Sequence, residues 1–314
     1  MIGQKFHPRG SAPTILMFNF TYDDSEIFYF NVSTGIHIHE TLTHTGDGTD
    51  LDTSSIAKVG NFLYRTGGYN AEICSSTLVY RYNPTFRNWE GLAGMTQART
   101  FHAMCASEDQ LFVVGGIEHS IGDDGDEDRI LTSVEVYDVK ENIWSDLAPL
   151  PSGSYNQAAA YNDGGVYISG GISADPFDEV PMGSLWKLDV AEGSWLGLQD
   201  MLYSRQGHSM TALDDKLYVF GGKRRGESVR TDIYKTCYNT EVYDIRSHQW
   251  TELKPIPETF GQLLKSVSLW NRRFFIFGGG VLHSYYVDED RMEYGDHVGS
   301  FIQKIAILDV ALPT

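Results

Sequence analysis

The residues best able to do chemistry by their type alone are cations gathered in one short stretch of an acidic chain. The segment KRRGESVRTDIYKTCYN carries Lys223, Arg224, Arg225, Arg230 and Lys235, against a formal net charge of −18 over 314 residues. Guanidinium forks bind carboxylates and phosphates in two-point geometry, so this stretch is the leading candidate for contact with an acidic peptide motif. The alternative is pairing with acidic loops of the same molecule. One such loop, IEHSIGDDGDEDRIL, holds Asp123, Asp124, Asp126, Glu127 and Asp128, with His119 near its start. Its spacing does not match a structured calcium loop and lacks the terminal glutamate, so a solvated, mobile acidic loop is expected.

Other chemistries lack their residues. His37 and His39 share one face of a strand-like run, but no acidic or cysteine partner at ligand spacing completes a metal site. There is no glycine-rich phosphate loop, nucleophile elbow or zinc-type cysteine pair, so no enzyme activity, cofactor or metal is expected. Cys74, Cys105 and Cys237 are three and far apart, which gives no complete disulfide framework and points to a reducing compartment, cytoplasmic or nuclear. The sequons at Asn19 and Asn31 are then chance occurrences. The acidic balance disfavours nucleic acid and anionic membrane as partners, and no run of about 18 apolar residues could span a bilayer.

The elements that would position these residues follow from a repeat of about fifty residues. Glycine pairs end short apolar runs at Gly67–Gly68, Gly115–Gly116, Gly170–Gly171, Gly221–Gly222 and Gly278–Gly279. After each of the first four pairs comes a variable loop, then an aromatic or leucine, then a tryptophan seven residues on: Tyr82 and Trp89, Tyr137 and Trp144, Leu188 and Trp195, Tyr243 and Trp250. Constant spacing within variable flanks predicts two strands joined by a fixed hairpin, with the large side chains facing each other across the ladder. Glycine pairs permit positive φ and close backbone approach where a strand leaves a crowded interior.

These features resemble the Kelch repeat, and segments such as MTQARTFHAMCASEDQLFVVGG and MLYSRQGHSMTALDDKLYVFGG are similar to the Kelch domains of BTB-Kelch ubiquitin-ligase adaptors. The resemblance implies an all-β, six-bladed propeller of four-stranded antiparallel blades, their strands a to d from inside outwards. After an N-terminal segment, 1–13, one domain over 14–314 would have blades beginning near 14, 54, 101, 155, 207 and 264. We call these stretches the first to sixth units. The first is degenerate, with His37 where tryptophan should stand, and begins at strand b. Spacing assigns Ile305–Val310 to strand c of the sixth, so the outer strand of the sixth and the inner strand of the first are expected to be missing.

The resemblance also implies a binding face, formed by the loops joining strands b to c and strand d to the next a. On it would lie Tyr69 and Asn70 of the second unit, His119 of the third, Phe177 of the fourth and Tyr285 and Tyr286 of the sixth. Phe101, Tyr155 and Asn156 fall near peptide-pocket positions of related domains. Arg99-x-x-His102 and Arg205-x-x-His208 recur at equivalent places and are expected to serve packing. The implied function is a protein-interaction module, the substrate-recognition domain of a cullin-linked ubiquitin-ligase adaptor. Cullin would be reached only through BTB and BACK regions absent from these residues. Kelch-type actin binders, sugar mutarotases and copper oxidases are the alternatives; scattered histidines and the acidic charge weigh against the last and the first.

Overall fold

The computed structural model describes residues 53–70, 74–122, 125–173, 180–226 and 234–256, together with the backbone of strands between 14 and 42 and between 264 and 308. The second to fifth units each form one antiparallel sheet, in strict chain order. They run Ser55–Val59, Phe62–Thr66, Val79–Asn83 and Asn88–Gly91; Ala103–Ala106, Gln110–Val114, Val134–Asp138 and Ile143–Leu147; Ala158–Asn162, Gly165–Ser169, Leu185–Asp189 and Ser194–Leu198; and Ser209–Leu213, Lys216–Phe220, Thr240–Asp244 and Gln249–Leu253. The hairpin reading holds in register: Tyr82 faces Trp89, Tyr137 faces Trp144, Leu188 faces Trp195 and Tyr243 faces Trp250.

First strands of successive sheets abut each other. Ser55–Val59 lies against Ala103–Ala106, that strand against Ala158–Asn162, and so on through Ser209–Leu213, Leu264–Trp270 and Lys304–Leu308, which returns to Ser55–Val59. This is an all-β propeller, with its apolar core in the clefts between sheets. Tyr64, Val79 and Met95 of one unit meet Leu111, Val113, Tyr137 and Trp144 of the next. Phe112 and Val114 meet Val166, Ile168 and Leu188 in the following cleft. Each fully buried apolar side chain contributes roughly 1.5–3 kcal/mol. The tryptophans also clip neighbouring units together by donating their indole N–H backwards: Trp144 to the Ala93 carbonyl at 2.8 Å, Trp195 to Ala148 at 2.9 Å and Trp250 to Gln199 at 2.8 Å.

The chain ends depart from the spacing argument. Lys304–Leu308 is not the third strand of the sixth unit; it pairs antiparallel with Thr14–Phe20, Leu308 opposite Thr14, as the strand the first unit lacked. The sixth unit takes its strands from Leu264–Trp270, Arg273–Gly278, Val281–Asp288 and Arg291–Tyr294, so its outer strand is not missing. The misassignment came from carrying the tyrosine-to-tryptophan spacing into a unit that has no such pair. Its third strand is the apolar run of Val281–Asp288 instead, paired with Arg273–Gly278.

The loops after the glycine pairs are not structureless either. The acidic loop, expected to be mobile, is a ribbon in which Ile117–Gly122 pairs with Gly125–Ile130. The basic one begins with Lys223–Arg225 paired to Tyr234–Thr236, and Tyr69–Asn70 pairs with Cys74–Ser75. Each of these pairings is a separate two-stranded sheet beyond the glycines, which satisfies backbone groups that a loop would leave to water.

Candidate functional site

The site is built on a turn repeated at the start of each first strand. Thr53, Phe101, Asn156 and Gly207 occupy equivalent places and all are left-handed, with φ of 58°, 52°, 55° and 58°. Their backbones form a relay from unit to unit: Phe101 N–H donates to the Thr53 carbonyl (3.4 Å), Asn156 N–H to Phe101 (2.9 Å) and Gly207 N–H to Asn156 (2.8 Å). Three of the four are not glycine, and a left-handed non-glycine residue stores strain that surrounding structure must hold. The relay supplies that hold. Inside it opens a cavity of about 300 Å³, lined by these turns and by Ser54, Ser55 and Ser209.

Beneath the turns, the recurrent arginines are wholly buried. Arg99 donates to the Gly115 and Ser133 carbonyls and pairs with Glu135 at 2.5 Å. Arg205 donates to the Gly221 and Asn239 carbonyls and pairs with Glu241. Each glutamate also accepts two backbone N–H groups, from Thr96 and Gln97 or from Leu202 and Tyr203. Burial pushes the Glu241 carboxyl up from its ordinary value, against Arg205 and those amides, which pull it down. Burial likewise lowers the Arg99 guanidinium, with Glu135 opposing. The packing role expected of these arginines is what the contacts display. Their glutamate partners were missed, although the signal was present: Arg and Glu occur together in the third and fifth units, while the fourth has Ser154 and Trp186 in their places. His102 and His208 follow the same alternation, bonding Thr66 and Ser169 of the preceding unit at 2.8 Å. In the fourth unit Gln157 donates to the Val114 carbonyl instead.

The ribbons are anchored to the turns. Thr100 pairs with Ile117 and Gln206 with Lys223 in single bridges in the third and fifth units, and in the fourth Ser154 and Tyr155 pair with Ser173 and Ile172. Expected contact residues therefore fall into groups. Phe101 and Asn156 line the cavity and Tyr155 adjoins them: the Phe101 and Tyr155 rings are edge-on at 6.5 Å, and Asn156 Nδ2 donates to Gln206 Oε1 at 2.9 Å. Through Gln206 this group reaches the basic ribbon, where Lys223 and Arg224 are half-buried and Arg225 is exposed. Tyr69, 38% exposed, meets the His119 ring edge-on at 5.5 Å, and His119 bonds Asp128 at 2.5 Å. Asn70 pairs through its backbone with Cys74.

Tyr285 and Tyr286 do not belong to this face as loop residues. They sit in the third strand of a sheet, opposite Phe274 and Arg273. Phe177 and Arg230 lie outside the described residues, as do the side chains of Asp123, Asp124, Asp126 and Glu127. Sequence reasoning missed Tyr203 and Gln206, whose types carried no periodic signal. Among the described residues no cluster of three His, Cys, Asp or Glu side chains could hold a metal, and no helix is long and apolar enough to cross a membrane.

A family model described as the KLHDC2/KLHL20/DRC7 Kelch-repeats domain matches residues 122–291. The chain belongs to the Kelch-repeat family. Kelch-like protein 36 of Rattus norvegicus is 32% identical over 232 residues, covering 71% of this chain and 35% of that protein. Kelch-like protein 15 of Danio rerio is 28% identical over 263 residues, covering 77% of this chain and 41% of that one. The chain thus spans between a third and a half of these Kelch relatives. A solved structure titled "Structure of YjhT" superposes with a TM-score of 0.70 at 15% identity, covering 92% of this chain and 99% of that one, a likeness of fold.

Proposed function

We propose that this Kelch chain is a protein-interaction module, the substrate-recognition part of a cullin-RING ubiquitin-ligase adaptor, that binds an acidic peptide motif on its turn-and-ribbon face. The observation that carries it is the joining of a cavity lined by Phe101 and Asn156, with Tyr155 packed against Phe101, to the basic ribbon at Lys223–Arg225 through Gln206. A cationic strip in a chain of net charge −18 is held in place by backbone bridges, which favours a specific acidic partner over general attraction. The adaptor role rests on likeness to the Kelch-like proteins, which are much longer than this chain. Cullin would be engaged through BTB and BACK regions outside these residues, in the cytoplasm or nucleus, and the module itself performs no chemical step. Its ring is a six-bladed propeller, with the strand at Lys304–Leu308 completing the first blade.

The test is affinity capture from cells with the wild type and with Lys223→Glu, Arg224→Glu and Arg225→Glu combined. Loss of a specific partner from a variant that melts like the wild type is expected. An unchanged partner set would reject the basic ribbon as the binding element.

A further inference from the structure

Among the described residues, the outermost strand of each sheet in the second to fifth units pairs on one side only. Its other side offers a row of unpaired backbone N–H and C=O groups, and charged side chains along such an edge keep foreign strands away. Three of the four edges are guarded in this way. Glu90 stands in Asn88–Gly91, Asp146 in Ile143–Leu147 and Glu252 in Gln249–Leu253, all three exposed. The edge of the fourth unit, Ser194–Leu198, reads SWLGL and carries no charge.

That edge is also bare. Leu196 is 59% exposed, and Gly197 beside it is exposed as well. Gly197 lies opposite Trp186, whose ring stands 3.2 Å from where a Cβ on the glycine would be, so a side chain there would crowd the indole. The glycine leaves the middle of the edge open to another backbone. Ser194, Leu196 and Leu198 alternate onto one side of the sheet. Leu198 packs against the buried cluster that holds Tyr167, Leu185 and Tyr243, and Leu196, two residues along, continues that apolar side into solvent. Lys187 faces Leu196 across the ladder, but its ammonium lies 5.8 Å from the centroid of the Tyr167 ring on the next strand inward, which turns the charge away from the edge.

Carboxylates mark both ends. Glu192 and Asp200 flank the strand, both exposed, and neither has a cationic partner among the described residues. A second copy of this chain fits such an edge poorly. Antiparallel self-pairing centred on Leu196 would set Glu192 opposite Asp200 at each end, and like charges directly opposite repel, between molecules of net charge −18. We infer that the outer edge of the fourth unit takes an added strand from a partner protein, apolar opposite Leu196 and carrying Lys or Arg at each end. Backbone bonds to the edge supply the affinity of such an added strand, and its side chains supply the choice. The acidic surface draws a basic segment in. This surface goes beyond the proposed peptide face: the cavity is built on first strands and this edge is a fourth strand, and the two attract ligands of opposite charge.

Two pools of nine-residue peptides, threonine alternating with a mixture of Val, Ile and Tyr and with either Lys or Ser at both ends, test it by retention on the immobilised chain. The wild type should retain the lysine-ended pool about fivefold better, the combined effect of two exposed ion pairs. Glu192→Lys with Asp200→Lys should bring the ratio to one or below, and Leu196→Lys should release the lysine-ended pool, each at unchanged melting temperature because these side chains are exposed. N-methylation of alternate peptide residues should abolish retention in one phase and spare it in the other, since only every second N–H of an added strand faces the edge. Retention of neither pool, equal retention of both, survival in Leu196→Lys, or indifference to both methylation phases overturns the inference. So does a wild-type dimer, seen by sedimentation at high salt and lost in Leu196→Lys, which would give the edge to a second copy. None of these outcomes bears on the acidic-peptide face, which is tested through Lys223, Arg224 and Arg225.

Discussion

At the scale of single residues, the strongest energetic commitments are two buried ion pairs that touch no ligand. Removing one partner of such a pair leaves an uncompensated charge, at a cost of about 3–5 kcal/mol. Glu241→Ala should therefore destabilise the chain by that order in urea denaturation, because Arg205 remains wholly buried. A loss below 1 kcal/mol would show that water reaches the guanidinium. His208 makes stability depend on pH. Burial first, and the nearby Arg205 cation second, hold its pKa well below the ordinary histidine value. The unfolded chain then takes up a proton that the folded one refuses, so this contribution is complete above the unfolded value near 6.5 and is lost as pH falls towards the folded one. Replacement by Gln, which stands at the equivalent place as Gln157, should flatten the melting temperature between pH 7 and 5; an unchanged slope would reject the assignment. Phe101 is a third case, a left-handed aromatic on the rim of the cavity. Phe101→Gly should weaken partner binding without lowering the melting temperature, since glycine adopts that φ without strain.

At the scale of the element, the repeat was legible because it is written in residues that cannot be exchanged freely. Gly67 has a φ of +57°, and a Cβ there would run into the Arg99 carbonyl; Gly170 stands in the same relation to Arg205. Gly170→Ala should cost more than the roughly 1 kcal/mol of an ordinary glycine substitution, because the obstacle is backbone of the next unit. The tyrosine and tryptophan slots were equally readable, each filling a cleft and each pairing across one hairpin. Trp250→Phe keeps most of that volume but loses the bond to the Gln199 carbonyl, which is on an exposed residue that water can reach, so a loss of about 0.5–1.5 kcal/mol is expected. The ribbons were not legible as ribbons. Their pairing depends on a bridge from the preceding turn, such as Gln206 to Lys223, and residues that act only through backbone leave no pattern of side-chain type. The sixth unit failed for the opposite reason: a strong pattern was extended to a segment whose strand is specified by plain apolar run and length.

At the scale of the whole molecule, the ring depends on a strand drawn from the far end of the chain. Leu16 lies opposite Ala306 in that closure. A disulfide through Leu16→Cys and Ala306→Cys would tie a loop of nearly the full chain length, which loop-closure entropy values on the order of 5 kcal/mol. Oxidation should raise the melting temperature of this variant, with the three native cysteines buried and apart from it. Failure to oxidise at all would contradict the pairing.

The turn relay around the cavity gives the ring a further property. Every link in it is main chain to main chain, so threonine, phenylalanine, asparagine and glycine serve at the same station with no change in the bonding. Mechanical duty is carried by atoms that every residue possesses, and identity is left over for contact. Evolution can therefore rewrite what this mouth recognises, one station at a time, without asking the ring to refold around each revision.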